Sequence, residues 1–147
     1  MTARHHPIVH AAIGPPLGEN AKRSRPCGRI NGMSVDFDCC RLDGRLLTAD
    51  DWQHVIASGR LADVHGAFAI AWRDADGTVN LARDHIGERT LFYAVTQSGL
   101  VFASSVREVL ASGVPRKLNV RAVAAYLSYA YLPGRETLAD GVFEVLP

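Results

Sequence analysis

The chain is 147 residues long, with 48% apolar residues and a net charge of +1. That apolar fraction is enough for the packed core of one ordinary domain and too high for a disordered chain. Sixteen Lys+Arg against fifteen Asp+Glu exclude the basic footprint of a nucleic-acid binder, and no apolar run approaches the ~20 residues of a membrane span.

Residues 1–32 differ from the rest. They hold Pro7, Pro15, Pro16 and Pro26 and the basic run Lys22-Arg23-Ser24-Arg25, with little periodicity. This composition predicts a flexible N-terminal arm, with an ordered domain over 33–147. Met33 is an alternative start for the folded part. The three cysteines are Cys27 and the adjacent Cys39 and Cys40. They make a poor disulfide framework and point to a reducing, cytoplasmic compartment. No cysteine and histidine spacing suits a metal.

The first helix is expected at Thr48-Ala49-Asp50-Asp51, with Thr48 as N-cap and acids in the first turn. Trp52, Val55 and Ile56 share one face by i, i+3, i+4 spacing, and Gly59 ends the helix. Ala67–Trp72 alternates small and large residues, which predicts a strand with one bulky face and one open to close approach. Asp74–Gly77 is a turn, and Thr78–Ala82 the return strand. Leu91–Val95 and Leu100–Ala103 form a second hairpin around Thr96-Gln97-Ser98-Gly99. Two short-turn hairpins in succession predict an antiparallel meander.

Ser105-Val106-Arg107-Glu108 reads as a capping box, opening a helix that Gly113 stops. Asn119 caps a last helix whose inward stripe is expected to be Val120, Val123, Ala124, Leu127 and Tyr131, with Pro133-Gly134 ending it. Val142–Leu146 alternates as a final strand. Strands followed by helices give an α+β fold with antiparallel sheet.

The densest polar cluster is Arg83–Arg89, between the second and third of these strands. It is either a ligand-positioning loop or a local device in which Arg83 and Asp84 fix the crossover and Gly87 permits the turn; local ion pairs at strand ends are common. Its surroundings carry a resemblance. Leu81–Ala94, LARDHIGERTLFYA, is similar to LARDxxGxxPLYYA of the glutamine-hydrolysing asparagine synthetases. Gly66–Asp74 resembles that family's GxFAFAxWD. Phe102–Ser105 resembles FASE, with Ser in place of the acid. Thr137–Pro147 resembles the TLxxGVxxLPPG that closes the amidotransferase domain. The likeness covers roughly residues 60–147, and it is specific as an ordered set.

The resemblance implies an N-terminal-nucleophile fold, an α-β-β-α sandwich of two antiparallel sheets, here incomplete on its N-terminal side. It implies hydrolysis of L-glutamine and delivery of ammonia to an ATP-dependent synthetase domain. ATP and magnesium would belong to that partner, and this chain would hold no cofactor of its own. No SGGxDS pyrophosphate loop is present, so the chain resembles a lone or truncated amidotransferase half. Its expected partners are a synthetase domain or subunit, L-glutamine, and a second copy of the chain. An uncovered sheet edge would make it prone to association when expressed alone.

The catalytic parts match less well. The family nucleophile is an N-terminal cysteine whose free α-amine, with pKa ~7.7–8.0, serves as general base. Its nearest match is Cys27 in Cys27-Gly28-Arg29-Ile30, where Arg29 interrupts the family's Cys-Gly-Ile and Cys27 is internal. Cys27 would act only after cleavage of the Pro26–Cys27 bond. The family's Asn-Gly pair, which binds substrate and oxyanion, matches Asp43-Gly44. Gly44 keeps its N–H, but an ionised Asp43 has no proton to donate. The plain alternative for Asp43-Gly44 is a turn. The stretch carrying the family's substrate-binding Arg is mostly missing, since only Arg29–Arg41 lie between Gly28 and Leu42. The family's SDxE segment has no match. Two functions therefore stand: a glutaminase domain of an asparagine synthase, or a catalytically dead scaffold like those of β-lactam synthetases and lasso-peptide cyclases.

Overall fold

A computed structural model of the chain describes Val9–Ala11, Gly28–Ile30, residues 33–97 and residues 99–147. Two compact units emerge: the described residues up to Arg89 together with Pro147, and Thr90 to Leu146. The architecture is α+β with antiparallel sheets and few helices.

The first unit is built on a six-stranded antiparallel sheet. Its path is β1 (Val9–Ala11), β6 (Val79–Arg83), β5 (His65–Arg73), β3 (Met33–Leu42) and β2 (Gly28–Ile30), with β4 (Arg45–Leu46) also paired to β3. Two of these strands, β1 and β2, fall within residues 1–32. Register puts Val35 opposite Ile70 and Phe37 opposite Phe68 on β3–β5, and Ile70 opposite Ala82 on β5–β6. A bulky face results, and α1 (Asp51–Ala57) packs on it. Trp52 is fully buried between Phe37 and Phe68, with ring centroids 5.3 Å from each, and Val55, Val64 and Ile70 close the core around it. Burying an aromatic and aliphatic cluster of this kind is the main source of stability for such a unit.

The alternation expected for β5 is present. Ala67, Ala69 and Ala71 form its second face, and they too are buried, beside Leu81 of β6. The β5–β6 turn matches expectation: Asp74 accepts from Gly77 N–H at 3.0 Å, and its carboxylate accepts from Trp72 Nε1 and Asn80 Nδ2. The helix start differs by two residues. Asp50 is the N-cap of α1, without a side-chain cap bond. Thr48 instead donates its N–H and hydroxyl to the Asp51 carboxylate, each at 2.7 Å. An acid in the first turn thus reaches back to the preceding main chain, the return half of a capping box.

The second unit holds a three-stranded antiparallel sheet, β8 (Gly99–Ala103), β7 (Phe92–Thr96) and β9 (Phe143–Glu144). The two hairpins therefore belong to different sheets, which corrects the single meander: the chain leaves the first sheet through residues 84–91 instead of returning beside β6. Val142 and the helix α2 (Val106–Ala111) close a small core of Ala94, Val109 and Val114. The Ser105 N-cap is formed, with Glu108 N–H donating to Ser105 Oγ at 3.3 Å; the Glu108 carboxylate accepts from the Ser105 hydroxyl at 2.9 Å, in place of the backbone N–H that a full capping box would use. Thr137 is buried and ties the final corner, donating to Val142 O at 2.8 Å and accepting from Ala139 N–H at 3.2 Å. The hydroxyl both donates and accepts, which lets one short side chain close the corner.

Helix α3 (Val120–Tyr129) starts at Asn119 as expected, its Oδ1 accepting from Ala122 N–H at 3.1 Å. It ends at Ala130, which takes the left-handed conformation with φ 60°, before Pro133-Gly134. The expected inward stripe is corrected. Val120, Leu127 and Tyr131 are exposed, and Ala122 is the buried residue of the helix.

Candidate functional site

Three features of the first unit meet the residues singled out from the sequence. The first is the loop after β6. Asp84 is buried to 1% exposure, and both its oxygens accept backbone N–H groups. Oδ1 takes Ile86 at 3.2 Å and Glu88 at 2.9 Å; Oδ2 takes Arg89 at 3.1 Å and Phe68, on β5, at 3.3 Å. Burial opposes ionisation, but the N–H groups of Glu88, Arg89, Phe68 and Gly87 outweigh it and hold the carboxyl below its usual range. One carboxylate thereby moulds the whole 84–89 loop and pins it to the central strand. Gly87 sits within it at φ 76°, where a Cβ would collide with the Arg83 guanidinium and stand 2.8 Å from Pro147 Cγ. Arg83 is buried beside it. The Arg83-Asp84-Gly87 pattern is thus a loop-shaping device, and it also delivers Arg89 to within 4.0 Å of Asp36 and 3.8 Å of Asp38 on β3.

The second feature is the Asp43-Gly44 corner. With φ 51° and 78°, the pair forms the two-residue connection of the β3–β4 hairpin, the geometry that favours Asp-Gly. Arg60, just past α1, grips the Asp43 carboxylate with a two-pronged contact, Nη1 to Oδ2 at 2.7 Å and Nη2 to Oδ1 at 2.8 Å, while its Nε reaches Asp63 at 3.0 Å. The hydrogen bonds from Arg60 hold the Asp43 carboxyl below its usual range, and the two aspartates raise the Arg60 guanidinium in turn. Asp43 is therefore an ionised acceptor facing a cation. Asp43, Gly44, Arg60, Asp63 and His65 line a shallow open depression, with His85 edge-on to His65 at 6.3 Å. Arg60 and Asp63 carry no sequence signal for this role, because Arg60 lies 17 residues from Asp43.

The third feature is a bulge in β3. Asp38 pairs with Ala67 and Arg41 with His65, so Cys39 and Cys40 together face Gly66. Cys39 takes φ 51° and is exposed; Cys40 is buried, its Sγ donating to Ala67 O at 3.3 Å. A Cβ on Gly66 would lie 2.8 Å from Cys40 Cα, so the backbones meet only because this residue has no side chain. Burial pushes the Cys40 thiol up to about 11, and the hydrogen bond and charge of Asp38 raise Cys39. Neither is poised as a thiolate nucleophile at neutral pH. Cys27 lies outside the described residues.

A profile of the glutamine amidotransferase domain matches residues 54–147, more than half of the chain. The chain belongs to the glutamine amidotransferase domain family. No curated protein and no solved structure matches it. The match in this amidotransferase domain begins inside α1 and takes in the Asp84 loop, the β5–β6 and β7–β8 hairpins and the Thr137 corner. It leaves out Cys27 and the Asp43-Gly44 corner, the two places where catalysis was sought in the sequence. Among the described residues, no helix is long and apolar enough to cross a membrane, and no group of three His, Cys, Asp or Glu side chains is placed to hold a metal ion.

Proposed function

We propose that this amidotransferase domain serves an amide-forming, asparagine-synthetase-type system as a scaffold whose glutaminase chemistry is lost, in a degenerate N-terminal-nucleophile fold. Its partner is an ATP-dependent synthetase domain or subunit, which binds ATP and magnesium. The observation that carries the proposal is the state of Asp43. Where the resemblance calls for an Asn that donates to substrate or oxyanion, this chain has a carboxylate kept ionised by Arg60. An ionised carboxylate repels a developing oxyanion and has no proton to offer it. The family-like order of Gly66–Asp74, Arg83–Gly87 and Thr137–Pro147 supports retention of the scaffold.

One observation favours the active alternative, ammonia release from L-glutamine. Cys27-Gly28 keeps the first two residues of the Cys-Gly-Ile start that the resemblance calls for. A thiol there would gain an α-amine base if the Pro26–Cys27 bond were cut. Glutamate release from L-glutamine, measured alongside the mass of the chain's N-terminus, separates the two. The scaffold reading predicts background release; release that disappears in Cys27→Ala overturns it.

A further inference from the structure

Asp43-Gly44, Asp76-Gly77 and Asp140-Gly141 are Asp-Gly pairs within the described residues. Such a pair carries a latent reaction of its own backbone. The glycine nitrogen attacks the aspartate Cγ, and no side chain on the glycine hinders the approach. An N–Cγ bond forms, and the amide proton and the carboxyl hydroxyl leave together as water. The product is a cyclic succinimide. Water then adds to either carbonyl. One addition restores aspartate; the other leaves isoaspartate, whose main chain runs through the side-chain carbon and is one carbon longer. The reaction needs an uncommitted glycine N–H, a carboxyl free to turn towards it, and a protonated carboxyl, since an ionised one has no good leaving group.

The three sites meet those conditions differently. At Asp76-Gly77 the glycine N–H already donates to Asp74 O at 3.0 Å, and the Asp76 carboxylate accepts from Thr78 N–H at 2.8 Å. At Asp43-Gly44 and Asp140-Gly141, no acceptor among the described residues takes the glycine N–H. Both of these glycines are exposed, with open space where a side chain would stand. Their aspartates are held unequally. Asp140 has a single contact, from the Lys117 ammonium at 3.1 Å, and that lysine side chain is 76% exposed. A point contact on a flexible stem leaves the carboxyl free to rotate. Asp43 is gripped at both oxygens by a planar guanidinium, at 2.7 and 2.8 Å, and Arg60 is tied in turn to Asp63. Both bonds must break before Asp43 Cγ turns to the Gly44 nitrogen. The same bonds favour the ionised carboxyl, which does not react.

The geometry points to Asp43-Gly44 as a latent isoaspartate modification site that the two-pronged hold of Arg60 keeps closed. What the hold protects is the register of the β3–β4 hairpin. The two-residue turn sets Leu42 opposite Arg45 and Arg41 opposite Leu46. An added main-chain carbon at Asp43 breaks that match and takes the carboxylate away from Arg60. This role of Arg60 holds whether or not the corner ever meets a substrate, so it does not rest on the scaffold assignment.

The test is ageing of the full chain at physiological temperature and pH, followed by proteolysis and peptide mapping against synthetic aspartate and isoaspartate standards for each site. The two forms have equal mass, so retention time and backbone fragmentation distinguish them. In wild type, isoaspartate should accumulate at Asp140 at least about threefold faster than at Asp43. Arg60→Ala should raise the rate at Asp43 at least about threefold, a modest factor because the ion pair is exposed. Arg60→Lys keeps the charge without the fork, and its rate should fall between the two. Asp76, in the same unit, and Asp140 should age at the wild-type rate in both variants. Equal rates at Asp43 in wild type and Arg60→Ala would overturn the inference. A rise at Asp76 together with Asp43 would report loosening of the whole unit instead of a lost grip, and would overturn it too.

Discussion

Replacing Asp84 by Asn tests whether one carboxylate holds the 84–89 loop. Asn keeps one acceptor oxygen and presents an NH₂ group where the second stood. Two of the four N–H groups then face a donor instead of an acceptor. The Phe68 bond is fully buried, whereas those of Ile86, Glu88 and Arg89 are partly reached by water. At about 1–3 kcal/mol for each orphaned donor, the loss is about 2–4 kcal/mol. For a unit of this size each kcal/mol moves Tm by ~4–8 °C, so Asp84→Asn should melt at least ~8 °C lower in thermal circular dichroism. The pH dependence follows from the depressed carboxyl. Stability from Asp84 is complete above its unfolded pKa of ~3.9 and is lost as pH falls through the lower folded value. Wild type should therefore lose Tm steeply below pH ~4, and Asp84→Asn should lose less over the same range. A Tm within ~3 °C of wild type at neutral pH would refute the assignment.

Gly66→Ala should destabilise by more than ~2 kcal/mol in urea unfolding, from steric overlap with the Cys40 backbone and strain at φ 127°. Gly77→Ala, which meets open space at φ 90°, should cost about 1–2 kcal/mol; equal costs would refute the close-contact account. Peptide mapping after brief treatment with a thiol reagent should find Cys39 modified and Cys40 untouched until the chain unfolds, and early modification of Cys40 would contradict its burial. Arg60→Ala should leave the urea midpoint close to that of wild type, since its ion pairs are exposed. A larger loss would make the Asp43 corner a structural keystone.

What was legible in the sequence was local. The hairpins around Asp74–Gly77 and Thr96–Gly99, the Ser105 cap and the Asn119 cap each depend on residues within five positions of one another, and each formed. The sheet assignment of the hairpins depends on the route taken by residues 84–91, which period-2 alternation does not encode. Helical periodicity grouped Val120, Val123, Ala124, Leu127 and Tyr131 as an inward stripe, but spacing alone does not say which face is buried: Val120, Leu127 and Tyr131 are exposed, and the helix ends at Tyr129. In the candidate site, Asp84 and Gly87 were visible through their motif. The Arg60 grip on Asp43 was not, because it joins a turn to a helix end by a contact without sequence pattern. The bulge at Cys39-Cys40 was hidden too, since it is set by the pairing of Gly66 across the sheet.

The most direct test of the scaffold assignment is intact-mass analysis of the full chain after incubation with an electrophilic glutamine analogue, which reports a competent nucleophile even when turnover is slow. An unshifted mass is the predicted result. A stoichiometric adduct mapping to Cys27 would show a working glutaminase thiol and contradict the account.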